Sequence, residues 1–115
     1  MKVISAVYDF SVSGGTIGVI RSGIFLPKGA VLLRAIGQEL TAFTAGAGGT
    51  MALDAGGTAL KAATVYTSGV WGGVDVQLST PVAITSNSEL TFTIAVADFT
   101  AGKYALYVEY YNPAA

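Results

Sequence analysis

The chain has no His and no Cys among its 115 residues. The commonest general base, the commonest metal ligand and every thiolate reaction are therefore missing together. Ser and Thr are plentiful, but a hydroxyl nucleophile needs a base beside it. The remaining amines, Lys2, Lys28, Lys61 and Lys103, never follow a Ser at the Ser-x-x-Lys spacing. Glycine loops could cradle a phosphate, and Gly46-Ala47-Gly48-Gly49-Thr50-Met51 comes nearest. It lacks a third glycine at the right offset, a helix opening behind it, and the Gly-Lys-Ser/Thr of a P-loop. It reads as a turn between strands. Asp54 and Asp98 sit in turns, where Asp is favoured for local hydrogen bonding. Each is alone there, so calcium, which takes several oxygens, would require distant loops to converge. The residues point to a chain that is not an enzyme and carries no metal or cofactor.

Recognition is what remains. Trp71 lies between glycines, where an exposed ring could stack on a sugar or anchor a protein contact. A loop folded back so that Trp71 caps the core explains the same residue equally well. Tyr107 and Tyr111 share a parity with Glu109 near the C-terminus and are expected on an outer face, suited to a subunit contact. A strand covered on both sides is the alternative. Phe25, beside a Pro-Lys-Gly turn, joins Trp71, Tyr107 and Tyr111 as a candidate interface residue.

Composition supports assembly. Hydrophobic residues make up 52% of the chain and charged residues 11%, against roughly 25% charged in ordinary domains. A domain of this size buries only about two-thirds of its unfolded surface, so part of the apolar excess is expected to be covered by a partner. The 15 glycines and the alanines inflate the hydrophobic count and offer a plainer explanation. Six basic and seven acidic residues lie scattered, without the basic patch that nucleic acid requires. Met1 to Val7 begins like a signal peptide, but Tyr8-Asp9 interrupts it. No apolar stretch approaches the ~20 residues of a membrane span. A soluble chain made in the cytoplasm is expected.

These residues must be positioned by strands. One domain over 1–115 is expected, read as Val3–Val12, Thr16–Leu26 interrupted at Arg21-Ser22-Gly23, Ala30–Phe43 with a bend near Gly37, Thr50–Leu53, Val74–Leu78 and Val82–Thr85. Turns fall at the glycine clusters and at Pro27-Lys28-Gly29. Thr58–Tyr66 is ambiguous, since Ala59 to Ala63 could form a helical turn. Ser68–Gly73 reads as a loop. The clearest signal is the alternation of Leu90, Phe92, Ile94 and Val96 with Thr91, Thr93, Ala95 and Ala97. With Lys103–Tyr111 it predicts a hairpin. Ala47-Gly48-Gly49-Thr50 and Ala55-Gly56-Gly57-Thr58 echo each other as similar turns, not as a duplicated unit. Short strands with glycine punctuation predict an all-β sandwich of jelly-roll type.

The run Gly23-Ile24-Phe25-Leu26-Pro27-Lys28-Gly29-Ala30-Val31 resembles a signature of small structural proteins of tailed bacteriophages. Leu60-Lys61-Ala62-Ala63-Thr64, Leu90 to Ala95 and Leu106 to Tyr110 are similar to other segments of those chains. The resemblance spans about Thr16 to Tyr110 and rests on strands and turns. It implies a virion component, a capsid decoration or cement protein that sits as a homotrimer on the head and locks neighbouring major capsid subunits together. A head-fibre or tail-associated module that binds a receptor or carbohydrate is the alternative it allows.

Overall fold

Alternating apolar residues fold the chain into two antiparallel sheets packed face to face. The structure is a computed structural model that describes residues 2–71, 74–78 and 81–113. Its strands are β1 (Lys2–Asp9), β2 (Gly18–Leu26), β3 (Val31–Ala45), β4 (Thr50–Ala55), β5 (Thr58–Val65), β6 (Val74–Leu78), β7 (Val82–Ala83), β8 (Ser88–Ala95) and β9 (Phe99–Tyr111). One sheet runs β1-β9-β3-β6, with β7 also on β3, and the other runs β2-β8-β4-β5.

The pairings β1 with β9, β2 with β8, β3 with β6 and β4 with β5 are those of one long antiparallel hairpin. Rolling it up brings β9 onto β3 and β8 onto β4. That is the jelly-roll arrangement, with the two-residue β7 added. Tyr8, Leu32, Leu106 and Val108 face inward from one sheet, and Leu26, Met51, Leu53, Phe92 and Ile94 from the other; all are buried.

The terminal runs do not form the expected hairpin. β8 belongs to one sheet and β9 to the other, so Val96 to Asp98 is a corner between sheets. A hairpin strand and a corner strand both need one face inward, and alternation cannot separate them. The first strand stops at Asp9, short of Val12. The Asp9 carboxylate accepts the N–H and hydroxyl of Ser11 at 3.0 and 2.7 Å, which offers the backbone a cap in place of the ladder. One helical turn, α1 (Phe10–Ser13), follows. Thr58–Val65 is strand β5 rather than a helical turn, because β4 supplies a ladder of hydrogen-bond partners and helix propensity, even alanine's, is a weak preference that such pairing overrides.

β3 is irregular near Gly37, where its register against β6 shifts between Ala35 and Ile36, but the glycine has a second role. It is buried in β3, and a Cβ there would run into the phenol of Tyr104. Glycine makes room for that ring. The register shifts of β3 against β9 lie on either side, between Leu32 and Arg34 and beyond Glu39.

Candidate interaction surface

Trp71 does not present its ring to solvent; it is 1% exposed. It ends a short 3-10 turn, Gly69–Trp71, and its Nε1 donates to the Val65 carbonyl at 2.9 Å. Its ring meets Phe43 and Tyr104 edge-on at 5.1 and 5.3 Å, and the Lys61 ammonium sits 5.0 Å from its centroid. Of the two explanations for Trp71, the structure shows the core cap. The ring packs into the core beside β5, with its one polar atom satisfied as a buried indole requires.

Tyr107 and Tyr111 point outward from β9, 41% and 51% exposed. Tyr107 stands between Ser5 of β1 and Ile36 of β3, and Glu109 between Val3 and Arg34. Arg34 donates from Nη2 and Nε to one Glu109 oxygen at 2.8 and 3.0 Å. The outer face of this sheet is thus an aromatic and aliphatic strip with an ion pair between its rings. Tyr and Arg are the side chains that dominate interface energetics. Val3 and Val7 continue the strip onto the edge strand β1.

Phe25 is half exposed on β2, the edge of the other sheet. β1 and β2 lie against each other, so both free edges close the same long side. Of the twelve exposed large apolar residues among those described, five lie on these two strands, Val3, Val7, Val19, Ile24 and Phe25. The structure does not bring Trp71 to this surface.

The interruption expected at Arg21-Ser22-Gly23 is a bulge. Ser22 to Ile24 stand opposite Leu90 alone. Glu89 clasps it, accepting from Arg21 Nε at 2.7 Å and from the Gly23 N–H at 2.8 Å. Arg21, then the Gly23 N–H, hold the Glu89 carboxyl below its ordinary range. The Ser22 hydroxyl donates to the Leu90 carbonyl at 2.6 Å. Sequence reasoning missed this clasp, because its partners lie 66 and 68 residues apart.

Asp98 accepts the Ile17 N–H at 3.0 Å and so fastens one chain turn to another. Asp54 is half-buried in β4, and burial raises its carboxyl. No group of three or more metal-ligating side chains comes together among the described residues. No helix among them is long and apolar enough to cross a membrane.

No family model and no curated protein matches this sequence. Two solved structures are similar along nearly the whole chain. One is a chain of the acid-stable capsid of Helicobacter pylori bacteriophage KHP30, 17% identical, with 98% of this chain and 88% of that chain covered and a TM-score of 0.67. The other is a chain of the capsid of Ralstonia phage GP4, 22% identical, with 99% and 86% covered and a TM-score of 0.61. The likeness is one of fold. At such identity the arrangement of strands is shared, while individual surface residues are free to differ.

Proposed function

We propose that this chain is a bacteriophage virion structural protein, and within that class a capsid decoration or cement protein. In this reading it sits on the outer surface of the head as a homotrimer and stabilises the shell by binding between major capsid subunits. The observation that carries the reading is the jelly-roll shared over nearly the whole chain with chains of two phage capsids. The exposed strip of Val3, Val7, Tyr107 and Tyr111 supports it, as a surface that gains from being covered. The carbohydrate-binding form of the fibre or tail alternative used an exposed Trp71, and that ring is buried.

The test is to add purified chain to capsids that lack it. Saturable binding and a higher temperature of capsid disruption are expected. Light scattering on the free chain is expected to return three times the chain mass. Capsids that neither bind the chain nor gain stability from it would remove the cement role, and a monomer at high concentration would remove the homotrimer.

A further inference from the structure

The corner between β8 and β9 turns on Val96. The Ala97 N–H donates to the Ala95 carbonyl at 2.9 Å, closing a ring around one residue, and Val96 has φ +72°. These are the marks of the positive-φ γ-turn, the rare and strained hand. For a β-branched residue a positive φ is a genuine outlier. Among the described residues every other positive φ belongs to glycine, at seven positions. A residue that needed only to make this turn would be glycine too.

Burial does not explain the side chain. Val96 is 68% exposed, although its parity with Leu90, Phe92 and Ile94 would place it in the core. Hydrogen bonds tie its surroundings together. The Gly46 N–H donates to the Asp98 carbonyl at 3.0 Å, the Phe99 N–H to the Gly15 carbonyl at 2.7 Å, and the Ile17 N–H to the Asp98 carboxylate. Three connections are therefore joined into one platform. It presents Val96, Ile17 and Ala47 to solvent, and its one carboxylate, Asp98, is already engaged. Strain held at an exposed apolar tip on a fixed support is a mark of a functional contact.

We infer that Val96 is a docking anchor, held by the strained turn for insertion into an uncharged apolar depression on a capsid subunit. The inference rests on the reading given under Proposed function. Size selects this occupant over a second copy. The molecule measures 44 × 23 × 20 Å, and the thirteen residues of β9 account for the long axis at ~3.3 Å each. The platform is thus an end of 23 × 20 Å, well short of the ~800 Å² per partner in a standard interface. An end of that size falls below what a standard, stable dimer interface covers. Repeated over a lattice by linked copies, a small contact suffices through multivalency.

The experiment compares wild type with Val96→Gly in binding to capsids that lack the protein, with thermal unfolding and light scattering of each free chain. Val96→Gly is expected to unfold at the same or a higher temperature, keep its mass, and bind capsids at least tenfold more weakly. Ile17→Ser, on the same platform, is expected to weaken binding as well. Binding of Val96→Gly within twofold of wild type, with wild type bound, overturns this inference alone. A lower mass for Val96→Gly also overturns it, since the occupant is then a second copy. Failure of wild type itself to bind overturns the capsid reading and the inference with it.

Discussion

Strand β9 carries four tyrosines, and they divide by face. Tyr104 and Tyr110 are buried, while Tyr107 and Tyr111 stand in solvent. Tyr104 stacks on Phe43 at 5.8 Å and meets Trp71 edge-on at 5.3 Å. Tyr107 has only Ser5 and Ile36 beside it in the sheet. The inward rings hold the two sheets together. The outward rings are free to be used by something else. One strand therefore serves stability on one side and recognition on the other, and substitutions on the two faces should affect different measurements.

Trp71→Ala tests the inward side hardest. It removes a large buried ring that touches Phe43 and Tyr104 and leaves the Val65 carbonyl without its indole donor. A loss of about 3–5 kcal/mol is expected in urea unfolding. A variant as stable as wild type that had lost a binding activity would put Trp71 on the recognition side and break the division. Gly37→Ala is expected to cost about 1–3 kcal/mol by overpacking. The added methyl meets Tyr104, whose ring is confined by Phe43 and Trp71 and cannot swing away.

How much of this was legible in the sequence follows from what local pattern encodes. The alternation from Leu90 to Ile94 states that one face is buried, and the structure agrees. It does not state which strand lies alongside, so the corner at Val96 looked like part of a hairpin. Parity alone put Val96 inward, because nothing in the sequence announces a residue held at positive φ. The separation of Tyr107 and Tyr111 from Tyr104 and Tyr110 could be read from spacing on a strand. Trp71 could not be settled, since a ring flanked by glycines is equally able to fold in or stand out. The clasp at Glu89 is not legible in the sequence, because Arg21 and Gly23 reach it only once β2 and β8 pair.

Glu89 sharpens the comparison, because it is a polar group on β8 whose role is to hold the fold. Its carboxyl is held down in the folded chain by Arg21 and then by the Gly23 N–H. Near and below its ordinary value of 4.5, the unfolded chain therefore binds the proton more readily than the folded one. The stabilisation is complete above that value and is lost as pH falls through the depressed folded value. Glu89→Gln is expected to be less stable than wild type at neutral pH and to lose less on acidification, as read from urea midpoints between pH 7 and pH 3. Asp9, held low mainly by the Ser11 hydroxyl, acts in the same direction and remains in the variant. Asp54, raised by burial, acts in the opposite direction. Arg21 is largely exposed, so solvent screens its ion pair, and Arg21→Gln should move the neutral-pH midpoint less than Glu89→Gln. Equal pH profiles for wild type and Glu89→Gln would show that the clasp does not form.

The smallest effect on stability belongs to the outward rings. Tyr107→Ser and Tyr111→Ser remove side chains that leave no cavity, and each is expected to change unfolding by no more than about 0.5 kcal/mol. Ser is a poorer strand former than Tyr, which sets the sign as a slight loss. The same variants are expected to weaken association measurably, whether with other copies or with capsids, since aromatic anchors carry much of an interface's energy. Arg34 and Glu109 lie between the two rings and pair with each other, so removing a ring leaves that pair intact and isolates the aromatic contribution. Variants that lost several kcal/mol of stability would mean that the outer face is structural like the inner one. Variants unchanged in both stability and association would leave β9 with one working face, and would move recognition to the β1–β2 side or to the end that carries Val96.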